Sequence, residues 1–521
     1  MRAIVIGSTK HFLFALGYGL LGILAAALFG AVWTLNDRPE LKPWHTLELK
    51  NEYHQQLGLK DFSEYLQLEQ SLFSELDTQI QRIDFASNPQ HSDFNRYDNQ
   101  SPSSPLRFDH NWNRSYEWQH PDAEFGVLLL HGMSDSPYAL SHFAKHFSAK
   151  AHVLSLRLPG HGTLPSGLTS ITWPDLASAV SLATAHMKLQ LKGKPLYVIG
   201  FSTGAALALN HELENIDQDK TTDYQAMVML SPAIGLKPIA AFAKWQAYLG
   251  QILGQKKLIW NSIETEYDPF KYQSFAVNAG DVVYQLSQRN KQLMHQLTAT
   301  QKRLLGSILS FQSVVDDTVS SQEVLTELYQ QLGLSQVEPS KPTLNMAVFE
   351  IPVKDVPSQA HHELVLFDVN RNPQYRQWLA LPLDELMFTQ GNVPNSSQAD
   401  FTLTLIENNP NAQDKIQARV MRQGTAESLL KSKTEPLIES IALQWPKGVY
   451  SLSHIALPYP ESDELYGRSP SGKQDKIHIG GNIHSGERGV IALSASDMLR
   501  QKWNPFYPYV LQRVDDFFTV K

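Results

Sequence analysis

Four short, largely apolar runs separated by helical stretches constrain this chain more than any other feature. The runs are Val127-Leu128-Leu129-Leu130, Val153–Leu156, Leu196–Ile199 and Ala226–Leu230, and helical patterns at Tyr138–Ser148, Trp173–Leu189 and Ala205–Leu213 lie between them. A run this short and this apolar fits a strand covered on both faces, the usual state of a parallel strand. Strand–helix alternation specifies an α/β fold with a mostly parallel central sheet flanked by helices. Further runs at Ile308–Val315 and Leu364–Phe367 continue the pattern. With 521 residues, 42% hydrophobic and only 18% charged, the chain can bury such a core, and disordered, collagen-like and coiled-coil classes are excluded. A net charge of -8 argues against nucleic acid as a partner. There is no cysteine, so disulfides, thiolate metal sites and cysteine nucleophiles are excluded.

Two long segments interrupt the alternation. One, at about 237–303, is mainly helical and reads as a cap, with Ile239, Phe242, Trp245, Leu249, Ile252 and Leu253 on one helical face. The other, at about 370–453, is a long late insertion with strand-like pieces at Phe401–Ile406 and Ile416–Val420. Upstream, residues 37–105 read as a helical arm, patterned by Leu57, Leu59, Phe62, Tyr65, Leu66, Leu68, Leu72 and Phe73, and a polar linker; 106–521 form the main domain. In segment 1–36, Phe12–Leu35 is uncharged over 24 residues. At 1.5 Å per residue it spans roughly 36 Å, enough for a transmembrane helix that anchors the chain. The alternative is a signal peptide cleaved near Ala25-Ala26-Ala27. Basic residues flank both sides, but a short basic tail before an apolar run resembles a signal anchor, and both readings put the bulk of the chain outside the cytoplasm, in a bacterium the periplasm.

Gly200-Phe201-Ser202-Thr203-Gly204 fits G-x-S-x-G and stands between an apolar strand and a helix. A sharp strand-to-helix turn exposes the hydroxyl of a nucleophile, and flanking glycines allow strand and helix to approach. Oxyanion donors for such an elbow are the N–H after the nucleophile, here Thr203, and one from the loop after an early strand, here Met133. His131 opens that loop and reads as shaping it. The order serine, acid, histidine points to Asp316, preferred to Asp317 because it directly follows the apolar run and is spaced D-x-x-V to Val319. Of the later histidines, His361 and His362 precede their strand, and His478 and His484 lie in a Gly-rich polar loop; His454 is chosen as the base. His142 and His146, at i and i+4, read as a solvated helix face rather than a metal site, and no cofactor or metal is implied.

These residues resemble the α/β-hydrolase superfamily, in particular its serine aminopeptidase/monoacylglycerol-lipase-like branch and a bacterial subgroup of it. The resemblance rests on Leu129-Leu130-His131-Gly132, Arg157-Leu158-Pro159-Gly160-His161-Gly162 and Gly200–Gly204, with Phe94–Tyr97, Asp109–Arg114 and Tyr450–Pro458 around them. It implies Ser202 as nucleophile, Asp316 as acid and His454 as base. The interval of 138 residues between acid and base is far longer than is usual there. The expected activity is hydrolysis of carboxylic esters, with lipophilic acyl esters favoured by the apolar cap stripe and the anchor. An alternative is an amidase or peptidase that binds a substrate ammonium through Glu264, Glu266, Asp268 or Asp281; another is a non-catalytic binding protein of this fold.

Overall fold

Each apolar run becomes a strand because both of its faces are covered. The computed structural model describes residues 14, 16–19, 21–22, 37–83, 85, 94–236, 255–314, 316, 318–332, 360–368, 401–409, 412–422, 437–444, 452–468, 476–480 and 502–519. Twelve strands occur among them: β1 (Tyr116–Trp118), β2 (Phe125–Leu130), β3 (Ala151–Leu156), β4 (Leu196–Phe201), β5 (Ala226–Leu230), β6 (Trp260–Ser262), β7 (Phe275–Ala276), β8 (Ser307–Ser313), β9 (His362–Asp368), β10 (Phe401–Asn409), β11 (Ala412–Arg422) and β12 (Leu437–Gln444). Ten form one sheet in the order β1-β3-β2-β4-β5-β8-β9-β10-β11-β12, while β6 and β7 make a separate hairpin. From β3 to β10 every neighbouring pair is parallel; β1, β11 and β12 pair antiparallel.

Side chains alternate across a strand, so each run feeds two cores. Val127 and Leu129 pack with Phe143, Phe147 and Val510 on one face. Leu128 and Leu130 pack with Leu176, Val180 and Leu209 on the other. The covering helices are α1 (Phe62–Ile80), α2 (Ser141–Phe147), α3 (Trp173–Leu191), α4 (Thr203–Asp217), α5 (Val277–Gln296) and α6 (Tyr507–Thr519). Helix α1 begins at Phe62, later than the apolar pattern, because the Asp61 carboxylate caps it by accepting the Glu64 N–H at 3.0 Å. Helix α3 opens on a capping box of Thr172 and Asp175 with Pro174 in its first turn.

The two segments set apart in the sequence are partly described. Residues 237–254, and with them the stripe from Ile239 to Leu253, lie outside the described residues. The helix α5 from the same segment packs along α4: Asn290 Nδ2 donates to the Ala206 carbonyl (2.8 Å), and Arg289 bonds both carboxylate oxygens of Glu214. In the segment 370–453 the described strands prolong the central sheet, with β10 parallel to β9. Of the 24 residues of the expected transmembrane helix, seven are described and the others lie outside the described residues. No helix among the described residues is long and apolar enough to cross a membrane.

One sequence expectation is corrected here. His142 and His146 do not form a solvated face. His142 Nε2 lies 2.7 Å from Asp463, and His146 Nε2 lies 2.6 Å from Asp515 of α6, so the pair docks α2 onto two separate elements. Sequence periodicity could not reveal carboxylates that arrive from more than 300 positions away. Asp463 is wholly buried and also accepts the Tyr138 hydroxyl and the N–H groups of Leu465 and Tyr466. Asp463→Ala leaves these donors without their acceptor, and we expect it to lower unfolding free energy by about 2–4 kcal/mol in urea titrations. A loss below about 0.5 kcal/mol, the scale of ordinary surface substitutions, would show that the network adds little.

Candidate active site

The sharpest backbone feature sits where β4 turns into α4. Ser202 has φ +52° and ψ −112°, a conformation that a side chain rarely adopts. Strain of this kind costs about 1–3 kcal/mol and persists only where the surroundings enforce it. Here the Ser202 N–H donates to the Leu230 carbonyl (2.8 Å), and its own carbonyl accepts from Ala206 N–H (3.2 Å) and Ala233 N–H (3.1 Å). The crossing is tight enough to require both glycines. A Cβ on Gly204 would lie 2.0 Å from the Leu130 carbonyl oxygen, and one on Gly200 would lie 2.5 Å from Ala205 Cα. The N-terminus of α4 then directs its positive end at the serine.

The loop after β2 carries the second half of the site. His131 is buried, and burial, with His161 and Arg157 nearby, drives its pKa well below the ordinary value. Neutral, it accepts the Leu158 N–H at Nε2 (3.0 Å) and therefore carries its proton on Nδ1, which donates to the Gly132 carbonyl (2.9 Å). Both ring nitrogens are thus committed to shaping the loop. Among the described residues no main-chain acceptor takes the N–H of Met133 or of Thr203.

Strand β8 ends at Ser313, and the chain turns there through an Asp316 N–H to Ser313 carbonyl bond of 3.2 Å. Asp316 therefore lies three residues past the strand rather than directly after it. Its side chain is completely buried and takes four donors. Gln312 Nε2 (2.9 Å) and His454 Nδ1 (2.7 Å) bond Oδ2; the N–H groups of Thr318 (2.8 Å) and Val319 (2.9 Å) bond Oδ1. Burial by itself would raise the pKa, but His454 and these N–H groups outweigh it and hold the carboxyl below its usual range. Asp317 lies outside the described residues.

His454 opens a short 3-10 turn, His454–Ala456, and is buried. Its segment is fastened to the sheet by Ser313 Oγ, which donates to the Leu452 carbonyl at 2.6 Å. Its ring packs on Phe201, the residue before Ser202, with centroids 5.3 Å apart. Three distant stretches, around Ser202, Asp316 and His454, thus meet at the ends of β4 and β8. The other histidines do not join them. His362 pairs with Ile308, near the start of β8, and so sits at the opposite end of the sheet, with its pKa lowered to about 4 by burial. His478 lies on a piece held to Pro102 and Leu465 through its neighbours, and His484 is outside the described residues. Gln312, a second donor to Asp316, carries no sequence signal that could have marked it.

Two of the carboxylates considered for binding an ammonium have structural work. Glu266 is fully buried and accepts the N–H groups of Gln273 (3.0 Å) and Ser274 (2.8 Å). Asp268, equally buried, accepts the N–H groups of Phe270 (3.0 Å) and Lys271 (3.1 Å) and the Tyr466 hydroxyl (2.7 Å).

The environment of Asp316 has a signed consequence for stability. Its folded pKa lies below the unfolded value of about 3.9, so its contribution is present above that value and is lost as pH falls through the folded one. The stability gap between the wild type and Asp316→Asn should therefore shrink as the solution is taken from about pH 5 to more acid values. A gap that stays constant in urea titrations down to pH 2 would contradict this.

The alpha/beta hydrolase family model matches residues 127–382. No curated protein matches the chain. Similar solved structures include one from a study of LipS and LipT, two metagenome-derived lipolytic enzymes (18% identity, 43% of this chain and 84% of that one, TM-score 0.33). Others are the monoacylglycerol lipase of Paleococcus ferrophilus (17% identity, 42% and 83%, TM-score 0.32) and a monoglyceride lipase variant from Saccharomyces cerevisiae (14% identity, 42% and 78%, TM-score 0.32). The family match begins in β2 and takes in the serine elbow, β8 and β9, and over residues 127–382 the chain is a member of the α/β-hydrolase superfamily.

Proposed function

We propose that the chain is a serine hydrolase that cleaves carboxylic esters. Ser202 Oγ attacks the acyl carbon while His454 Nε2 takes its proton. Asp316, bonded to Nδ1, fixes the tautomer and offsets the imidazolium charge that forms. The N–H groups of Met133 and Thr203 hold the oxyanion. His454 then protonates the leaving alcohol, and a water activated by the same imidazole releases the acid from Ser202.

The observation that carries this reading is the 2.7 Å bond between Asp316 and His454, 138 residues apart, formed next to a serine in a strained turn. Unlike the structural pair of His142 and Asp463, this one packs its imidazole on Phe201, the residue before the strained serine. Lipophilic acyl esters are the favoured substrates, on the strength of the apolar stripe from Ile239 to Leu253. The uncharged run Phe12–Leu35 would hold the enzyme at a membrane with its main domain outside the cytoplasm; in this run Phe14, Leu16, Tyr18 and Leu21 are 53–72% exposed.

A series of p-nitrophenyl esters of rising chain length tests the reading. Turnover should favour longer chains and vanish in Ser202→Ala. Asp316→Asn should keep the fold near neutral pH and lower kcat by up to about 10⁴-fold, since the wrong imidazole tautomer then faces the serine. Full activity in Ser202→Ala would end the mechanism, and a profile confined to short chains would end the lipophilic assignment.

A further inference from the structure

A line of aligned hydrogen bonds runs from the N-terminal arm to the oxyanion loop. Tyr65, on α1, is fully buried and donates its hydroxyl proton to the Arg157 carbonyl at 2.6 Å. A peptide unit is planar and trans, so its C=O and the following N–H point in opposite directions. Holding the Arg157 oxygen therefore aims the Leu158 N–H, which donates to His131 Nε2 at 3.0 Å. The other imidazole nitrogen donates to the Gly132 carbonyl at 2.9 Å. The same peptide geometry then aims the Met133 N–H. Every donor in the series points the same way, and such chains polarise one another. The Asp135 N–H also reaches the Gly132 oxygen, at a longer 3.2 Å.

The arm is held at the head of this line by a buried charge cluster. The Arg157 guanidinium, 1% exposed, donates to Glu52 (3.1 and 3.3 Å), to Glu69 (3.2 Å) and to the His161 carbonyl (2.9 Å). Glu69 in turn takes the N–H and hydroxyl of Ser115, whose Oγ accepts the Arg157 N–H at 2.8 Å. Both carboxylates belong to the arm, which therefore fixes Arg157 on its main-chain and side-chain atoms together.

We propose that Tyr65 is a positioning residue for catalysis: through the Arg157–Leu158 peptide and His131 it aims and strengthens the Met133 N–H as an oxyanion donor, making the arm a working part of the active site. The proposal rests on the assignment of Met133 N–H to the oxyanion.

Tyr65→Phe in the full chain removes one hydroxyl and keeps the ring packed on Tyr53 and Phe62. Tyr53→Phe is the matched control, since that arm hydroxyl bonds Ser178 Oγ at 3.1 Å, off the line. The expected result is a fall in kcat of about 5–10-fold in Tyr65→Phe at unchanged KM, the worth of one hydrogen bond. The Ki of a trifluoromethyl ketone, whose serine adduct bears the oxyanion, should rise by the same factor. Tyr53→Phe should leave both values alone. A merely structural role would lower the active fraction, and with it kcat, but would not move Ki. If Tyr65→Phe folds poorly, His131→Gln carries the test: its Ki for the ketone should rise by at least as much while ester KM stays put. Wild-type Ki in a folded Tyr65→Phe, or an equal effect of Tyr53→Phe, overturns the proposal. A wild type that turns over no ester and binds no ketone removes the serine hydrolase reading, and the proposal with it.

Discussion

The close crossing of β2 and α4 is the constraint on which the rest of the site depends. Gly204 passes so near the Leu130 carbonyl that a single methyl group would collide with it. This contact brings the end of β2, and so the loop His131-Gly132-Met133, beside the start of α4, and so Ser202 and Thr203. The strained φ of Ser202 follows from the same crossing, because the chain has to reverse from strand to helix within one residue. The bonds to Leu230 and Ala233 then tie the turn to the neighbouring strand and its loop.

A second requirement is to bring an acid and an imidazole to that turn from far along the chain. Parallel strands end at the same edge of the sheet, so β4 and β8 deliver Ser202 and Asp316 to one edge without special devices. His454 reaches it after the chain has laid down β9 to β12, and the Ser313 to Leu452 bond marks where it rejoins β8. Within the long interval between Asp316 and His454 the described residues add β9 to β12 to the sheet, while Asp316 itself follows the end of β8.

Much of this was legible in the residues. The six apolar runs are strands of the central sheet, since burial on both faces leaves a strong compositional mark. Order and context single out Ser202, Asp316 and His454, whose stretches meet at one edge of the sheet. What stayed hidden has physical reasons. β1 is three residues long, too short for any periodicity. The strands β10 and β11 show as apolar pieces, but pairing partners are not written in a single strand, so their membership of the central sheet could not be read. The partners of His142 and His146, and the link from Tyr65 to Arg157, join positions between 92 and 369 residues apart. Local pattern carries no information on such contacts.

The central claim is that Ser202 is the nucleophile of an acyl-transfer site. Reaction of the folded chain with a fluorophosphonate, followed by peptide mass mapping, tests it most directly, because the probe needs an activated oxygen and an oxyanion site but no knowledge of the substrate. The account predicts one adduct per chain, on Ser202, lost in Ser202→Ala. No adduct on folded protein, or an adduct on another residue, would contradict it.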